Sequence, residues 1–225
     1  MKSLILYLSL ALIILGCEKN TVEPTINHSS KYQPLALGYS WLYLADSIVF
    51  YSSQTQKPDT FQYLIKQQIT DKFINNEGQE VFVISQSYTS YSNSKWTFSS
   101  TFTLHKDVNS LVRTFEDVTT VTLSFPFEVS KKWDGNQYNS KSKIECYYDL
   151  VHRALTAQTM QYDSTTVIMR EQETNLVTSK FEKEVYAVNV GLISKHYEFV
   201  TGLDTINPNP KGNKITYTLI RFEKL

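Results

Sequence analysis

Cysteine and glycine are scarce in this sequence, with two and seven copies among 225 residues. Two cysteines cannot build a disulfide framework, so a hydrophobic core has to hold the fold together. Seven glycines leave no glycine-rich phosphate loop, and no Gly-x-Ser-x-Gly hydrolase motif occurs. The common sequence signatures of nucleotide-binding proteins and serine hydrolases are therefore missing.

The sequence also lacks an excess of charge, because its 22 basic residues are matched by 22 acidic ones. Nucleic-acid binding requires a clustered basic face, so we expect no nucleic-acid partner. The four histidines show no metal-ligand spacing such as His-x-x-x-His, and no Cys-x-x-Cys occurs. We therefore predict no metal site, no cofactor and no catalytic residue, and we expect a protein that is not an enzyme.

One apolar run is present, at residues 4–15, preceded by Lys2 and closed by Gly16 and Cys17. A basic head, an apolar core and a small-residue exit are the parts of a secretory signal. The run is too short for a membrane span, which needs roughly 20 apolar residues. The cysteine directly after a small residue resembles the lipobox of bacterial lipoproteins. That resemblance implies a signal peptide at residues 1–16, palmitate-type acylation of Cys17 and a membrane anchor; an ordinary signal peptide is the alternative.

The segment after the lipobox is polar and has no hydrophobic period. We interpret residues 17–33 as the lipidated cysteine and a flexible tether. Residues 34–225 are predicted to form a single β-rich domain, since all-β chains of this length commonly form one domain.

Aromatic residues make up 13% of the chain and favour β-sheet. A period-2 pattern places Phe61, Tyr63, Ile65 and Ile69 on one parity and Thr60, Gln62, Lys66 and Thr70 on the other, as in a strand with one buried face. Short connections leave little room for crossover helices. We predict an all-β fold with a single antiparallel, strongly curved sheet or barrel of about ten strands and little helix. A two-sheet sandwich is the alternative, and a short helix is considered at residues 152–158 or 180–185.

The sequence contains one internal echo. Pro34 is followed by Trp41 and Pro126 by Trp133, each with apolar residues one and three positions after the proline. An internal duplication of residues 34–125 and 126–225 would explain the spacing. Chance reuse of a strand-opening pattern is the preferred explanation, because true repeats keep their similarity over a sustained period.

Three segments together resemble a set of envelope lipoproteins common in Bacteroidetes-type bacteria. Residues 34–43 read PLALGYSWLY, residues 125–126 and 133–136 read FP and WDGN, and residues 186–193 read YAVNVGLI. The resemblance implies an envelope location, with the outer membrane expected, and a β-rich domain. It supplies no catalytic residue. Gly191 within the last segment favours close packing against an aromatic side chain, with the approach of a ligand as the alternative.

A few side chains are candidates for contact or modification. Aromatic residues near a loop, Tyr88, Tyr91 and Trp96, are candidates for binding a partner or ligand. Three short Asp-Ser/Thr motifs are similar to the O-glycan acceptors of Bacteroidetes-type exported proteins and give Ser47, Ser164 and Thr205 as acceptor candidates. The remaining cysteine, Cys146, lies in an apolar strand and is expected to be buried.

Charged residues are predicted on the surface. Glu182 and Glu184, beside Arg170 and two lysines, are interpreted as a solvated face of mixed charge.

Three functions remain open. The first is a lipid-anchored, non-enzymatic binding or scaffolding module that contacts an unknown protein, glycan or lipid. The second is a carrier of an apolar ligand or lipid in a barrel-like cavity. The third is a surface protein that binds or hydrolyses glycans, which needs two carboxylates converging on a cleft. A filled interior favours the first, and a void of several hundred Å³ favours the second.

Overall fold

A computed structural model describes residues 28–52, 56–91, 95–157, 160–204 and 209–224 of this chain, except for the side chains of residues 28 and 171–174. One short 3₁₀ helix, η1 (His28–Tyr32), precedes the described strands. These are β1 (Ser40–Phe50), β2 (Asp59–Ile74), β3 (Glu80–Ser90), β4 (Thr97–Lys106), β5 (Ser110–Phe115), β6 (Val118–Ser124), β7 (Lys132–Asp134), β8 (Glu145–Ala157), β9 (Met160–Thr174), β10 (Thr178–Ala187), β11 (Gly191–Thr201) and β12 (Lys211–Glu223).

All twelve strands belong to one antiparallel sheet in the order β6-β5-β4-β3-β2-β1-β12-β11-β10-β9-β8-β7. Strands that are consecutive in sequence pair with each other except β6 and β7, which end the sheet, and β1 also pairs with β12. The two outer strands, β6 and β7, approach each other, and the Val121 N–H donates to the Gly135 carbonyl at 2.9 Å just beyond β7. The sheet is therefore strongly curved and nearly closed, which confirms the predicted fold class.

The inward face of the sheet follows from the period-2 pattern of the strands. Alternate residues of β1 are buried: the exposed fractions of Trp41, Tyr43 and Ala45 are 2%, 1% and 0%. Tyr43 lies opposite Ile65 on β2, so residues of the same parity on neighbouring strands continue this face around the sheet. The large aromatic side chains buried on this face form the hydrophobic core, which stabilises a fold that has too few cysteines for a disulfide framework.

The strand count exceeds the prediction of about ten, for local reasons. Strand β7 has only three residues, too few for a visible period. The helices considered at residues 152–158 and 180–185 are wrong, because β8 extends to Ala157 and β10 covers residues 178–187. Lysine and glutamate give residues 180–185 a helical composition, but ladders with β9 and β11 on both sides override that preference.

The folded part begins earlier than the boundary predicted at residue 34. In η1 and just after it, Ser29, Tyr32 and Gln33 are 4%, 1% and 6% exposed. The Ser29 hydroxyl accepts a hydrogen bond from the Phe127 N–H at 3.1 Å, and the Lys31 carbonyl accepts one from the Asn189 N–H at 2.9 Å. Residues 28–33 are thus part of the domain, and residues 17–27 of the predicted tether lie outside the described residues.

The two echoed tryptophans are both buried in the sheet interior. Trp41 donates its indole N–H to the Val190 carbonyl at 2.6 Å, and Trp133 donates to the Val121 carbonyl at 3.2 Å. Six of the described strands precede Pro126 and six follow it. Internal duplication stays a prediction.

Gly191 confirms the expected close packing against an aromatic side chain. Its φ is +102°, and a Cβ atom there would lie 2.9 Å from Gln33 Oε1 and 3.1 Å from Trp41 Nε1. Nothing larger than glycine fits between β11 and the start of β1. Within the described residues, no helix is long and apolar enough to cross a membrane.

Candidate functional site

The interior of the sheet contains one densely packed region of aromatic rings, which we call the aromatic cluster: Tyr32, Phe125, Phe127, Trp133 and Tyr148. The Phe127 ring centroid lies 4.9 Å from that of Tyr32 and 4.7 Å from that of Tyr148, and the Tyr148 and Trp133 centroids are 4.7 Å apart. The Tyr148 hydroxyl donates to the Ser124 carbonyl at 2.7 Å and accepts from the Ser124 N–H at 2.9 Å. The rings of the cluster are therefore in close contact, and the buried Tyr148 hydroxyl both donates and accepts a hydrogen bond.

A second interior region is hollow and has a volume of about 390 Å³; we call it the central cavity. Its apolar walls come from Ile84, Phe102, Leu104, Leu111, Phe115, Ile144 and Leu192. Its polar lining includes Gln33, Gln67, Gln86, Ser100, Thr120, Asn136 and the phenols of Tyr43, Tyr186 and Tyr217. Five charged side chains complete the lining: Arg113, Arg170, Glu182, Glu184 and Lys195. This combination of apolar walls and a few polar groups is typical of small-molecule sites.

Four of the charged side chains form a connected group, which we call the ion cluster: Arg170, Glu182, Glu184 and Lys195. The Arg170 guanidinium reaches Glu184 Oε2 at 3.1 and 3.3 Å through Nη2 and Nε. Lys195 Nζ bridges Glu182 Oε1 at 2.6 Å and Glu184 Oε1 at 3.1 Å. The Tyr186 hydroxyl donates to Glu184 Oε2 at 3.1 Å. Each charge in the cluster therefore has an opposite charge beside it.

The ion cluster holds the Glu184 carboxylate in the ionised form. Burial alone would raise the pKa of the Glu184 carboxyl, but the charges of Arg170 and Lys195 outweigh burial and lower this pKa to about 2. For Lys195, burial acts to lower the pKa of the ammonium, and the carboxylates of Glu184 and Glu182 outweigh it and raise that pKa. At neutral pH the Glu184 carboxylate and the Lys195 ammonium are thus both charged.

Arg170 also connects the two outer edges of the sheet. It lies on β9, and its Nη2 donates to the Thr122 carbonyl on β6 at 2.7 Å. Its Nη1 lies 3.5 Å from the sulfur of Cys146, and burial raises the pKa of that thiol. The guanidinium therefore supplies, across the gap between β6 and the β7–β9 edge, hydrogen bonds that a closed strand ladder would otherwise make.

Arg113 is the fifth charged residue of the lining, and its environment differs from that of the ion cluster. It lies on β5 opposite Leu104 and Thr120. Its guanidinium carbon is 4.2 Å from the Phe102 ring centroid and 5.5 Å from that of Phe115. In the described part of the chain its Nε is buried without a hydrogen-bond partner, and no carboxylate forms an ion pair with it. The contacts of this charge among the described side chains are thus the faces of Phe102 and Phe115.

The central cavity continues outward along the inward face of the sheet. A smaller hollow of about 200 Å³ shares Glu182, Lys195 and Tyr217 with it and adds Tyr197 and Ile215. Farther along, an open hollow of about 410 Å³ is lined by Phe61, Tyr63, Tyr88 and neighbouring polar residues. Phe61 lies opposite Ser47 and therefore has the same parity as Trp41 and Tyr43. An apolar, aromatic surface thus extends from this open hollow toward the charged interior.

The three aromatic residues predicted as contact sites are exposed but are not brought together. Tyr88, Tyr91 and Trp96 are 45%, 65% and 40% exposed, and among the described rings they make no contact with one another. Tyr88 lines the open hollow beside Phe61. Their role in binding stays a prediction.

The predicted modification sites fall in different surroundings. Cys17 and Thr205 lie outside the described residues. Ser47 is 7% exposed on β1, and the half-buried Ser164 hydroxyl lies 2.6 Å from the Tyr32 hydroxyl. Addition of a glycan at either serine requires access before the domain folds, and glycosylation stays a prediction. Cys146 is buried with a free thiol, as expected.

The prediction of a solvated, mixed-charge face was wrong for Arg170 and Glu184, which are 9% and 6% exposed. Their position within apolar runs was a signal of burial, since Arg170 follows Val167, Ile168 and Met169, and Glu184 precedes Val185. Arg113 carried the same signal, because it shares its parity on β5 with Leu111 and Phe115. An apolar sequence context within a strand was therefore the available signal for Arg113, Arg170 and Glu184. No group of three or more His, Cys, Asp or Glu side chains among the described residues is placed to hold a metal ion.

Comparisons with known proteins give a partial fold likeness. No family model matches the chain, and no curated protein matches it. An inferred exported protein with a YmcC-like fold from Bacteroides fragilis aligns with a TM-score of 0.48 and 8% identity, covering 85% of this chain and 98% of that one. An inferred lipoprotein from Parabacteroides distasonis aligns with a TM-score of 0.44 and 11% identity, with the same coverage. At these scores no residue correspondence and no role passes from them to this chain.

Proposed function

We propose that this protein is a lipid-anchored component of the bacterial cell envelope whose β domain binds a small molecule in the central cavity without transforming it. The single observation that supports binding is the cavity itself, about 390 Å³ in the interior of the sheet. A domain selected only for stability would fill such a space, since unfilled interior volume is destabilising. The proposal combines the expected binding module with the expected carrier.

The lining supports a ligand that is not purely apolar. Three glutamines and five charged side chains face the cavity together with its apolar walls. Among the charged groups, Arg113 Nε has no partner in the described residues, and one polar group on an apolar body could bind it whereas a purely apolar molecule could not.

The lining carboxylates do not favour the glycan-hydrolase alternative. Retaining and inverting glycosidases need one protonated carboxylic acid and one carboxylate facing the substrate. Glu184 is ion-paired on both oxygens with a pKa of about 2, and Glu182 is held by Lys195. Glu184 is therefore not available as a proton donor at neutral pH, and Glu182 is engaged by an ion pair with Lys195.

The binding proposal is tested with N-phenyl-1-naphthylamine, a neutral apolar dye that fluoresces in dry environments. The protein used is the Cys17→Ser chain, which is expected to lack the lipid and needs no detergent. We expect saturable binding at one site, and we expect Ser100→Trp, which places an indole in the cavity, to abolish it. Tyr138→Trp, a substitution at an exposed position, is the matched control. Absence of saturable binding, or binding that survives Ser100→Trp, would refute the cavity as a ligand site.

The envelope location rests on the N-terminal sequence and is tested separately. Cells expressing the chain are grown with an alkyne fatty acid, which should label the protein and co-fractionate it with membranes. Cys17→Ser should abolish the label. Equal labelling of both chains would contradict the anchor without affecting the cavity.

A further inference from the structure

We infer that the ligand of the central cavity is a monoanion, a carboxylate on an apolar body, and that Arg113 binds the carboxylate. The inference rests on the proposed function, because it names the class of molecule that the cavity holds. Three observations lead to it: the charge balance of the lining, the unbonded donor of Arg113 and the surfaces beside it.

The described lining carries one surplus positive charge. Three cations, Arg113, Arg170 and Lys195, face two carboxylates, Glu182 and Glu184. Both carboxylates are engaged within the ion cluster, at 2.6 to 3.3 Å from Arg170 or Lys195. The surplus therefore resides on Arg113, and a ligand with one negative charge would neutralise it.

Arg113 is held ready to bind an anion. The guanidinium carbon lies over the Phe102 ring, 4.2 Å from its centroid, while Nε remains buried without a partner among the described residues. Buried donors in folded proteins are almost always hydrogen-bonded, and since no described protein group uses Arg113 Nε, this donor is open to a ligand in the cavity. Because the guanidinium fork matches the two oxygens of a carboxylate, that group satisfies several donors at once.

Other donors of the lining surround the same space. The positive charges of Lys195 and Arg113 both act on the Tyr217 hydroxyl. Gln67 donates its amide N–H to Gln86 Oε1 at 2.8 Å, which leaves the amide nitrogen of Gln86 as a further donor among the described side chains. A phosphate dianion would need a second uncompensated cation, and the ion cluster supplies none, so the charge count selects a monoanion.

The apolar body of the ligand follows from the walls beside Arg113. Phe102 and Phe115 flank the guanidinium, and Leu104 lies opposite it on β4. The adjoining hollow with Tyr197 and Ile215 extends the apolar surface outward past Tyr217. A medium-length aliphatic or aryl-alkyl acid therefore matches both the charge and the walls.

The experiment displaces N-phenyl-1-naphthylamine from the Cys17→Ser chain with three molecules of equal length: octanoate, 1-octanol and octylammonium. We expect octanoate to displace the dye at a concentration at least about tenfold lower than 1-octanol does, the gain typical of a charge-assisted hydrogen bond. Octylammonium should be the weakest of the three. Arg113→Gln should remove the preference for octanoate while the dye still binds, and Arg221→Gln, at an exposed arginine paired with Glu223, should leave the preference intact.

The outcomes separate the two proposals. Equal displacement by octanoate and 1-octanol, or a preference that survives Arg113→Gln, would overturn the anion inference and leave the cavity as a binding site. Absence of dye binding would overturn the proposed function as well. If Arg113→Gln does not fold, the comparison of octanoate with 1-octanol on the chain that retains Arg113 still tests the inference.

Discussion

The aromatic cluster and the central cavity occupy the same sheet interior but are built in opposite ways. In the cluster, rings pack at centroid distances of 4.7 to 5.8 Å and the Tyr148 hydroxyl is bonded twice. In the cavity, about 390 Å³ stays unfilled and Arg113 keeps an unbonded donor. The difference indicates a division of labour, because the cluster stabilises the fold and so permits a neighbouring region that stabilises it poorly.

The ion cluster combines features of the packed aromatic cluster and of the hollow central cavity. Arg170 and Glu184 are buried, as the rings of the aromatic cluster are, while Glu182 and Lys195 are partly exposed, and all four line the cavity. A buried ion pair is costly to form and costly to break, so its contribution appears when one partner is removed. Four predictions test this comparison.

The largest effect is expected in the aromatic cluster. Tyr148→Ala should lower the free energy of unfolding by about 4 kcal/mol, because it removes a fully buried ring and leaves the backbone N–H and carbonyl of Ser124 without their partner. Urea denaturation measures the change. Tyr138→Ala, at a tyrosine that is 54% exposed, is the control and should change the value by less than about 0.5 kcal/mol. A loss below about 1 kcal/mol for Tyr148→Ala would remove the distinction between the two regions.

The ion cluster should give the next largest effect. Arg170→Met should lower the free energy of unfolding by about 3 kcal/mol, since it leaves the buried Glu184 carboxylate short of one cation and frees the Thr122 carbonyl. The matched change in an exposed ion pair, Lys132→Met beside Glu145, should have no measurable effect. If the two substitutions behave alike in denaturant titrations, Arg170 does not hold the sheet edges together.

Stability should also depend on acid through Glu184. The folded pKa of about 2 lies below the ordinary value of 4.5, so the unfolded chain takes up a proton first as the pH falls. The stabilisation is complete above about pH 4.5 and is lost as the pH falls toward 2. Its size is on the order of 3 kcal/mol.

Glu184→Gln isolates this contribution. The variant should show a shallower loss of thermal stability between pH 5 and pH 2, even if its stability at neutral pH is lower. Glu80→Gln, at an exposed glutamate paired with Lys72, should keep the slope of the parent. Identical slopes for Glu184→Gln and the parent would show that the carboxylate is not held by the cations around it.

The smallest stability effect is expected at Arg113. Arg113→Gln removes an uncompensated charge and a stacking contact together, so the free energy of unfolding should change by less than about 1 kcal/mol. Differential scanning fluorimetry in the absence and presence of octanoate checks this. The chain that retains Arg113 should gain thermal stability when octanoate is added, and Arg113→Gln should gain less. A large loss of stability without ligand would place Arg113 with the structural residues.

Much of the fold was predictable from the sequence because one rule, period-2 burial on aromatic strands, applies along most of the chain. It identified Phe61, Tyr63 and Ile65 as one face of β2, and the structure keeps them on one face. It failed at β7, where three residues are too few to show a period, and at β10, where lysine and glutamate imitate a helix. The ion cluster was missed because alternation cannot distinguish an inward-facing charge that has a partner from an outward-facing one. That difference depends on Arg170 and Glu184 meeting across β9 and β10, a tertiary contact.

A crystal structure of the Cys17→Ser chain with 8-bromooctanoate tests the central claim most directly. The expected result is anomalous bromine density in the sheet interior, with the carboxylate within hydrogen-bond distance of Arg113. Bromine found only on the exposed aromatic side chains near Trp96, with the central cavity empty, would contradict it.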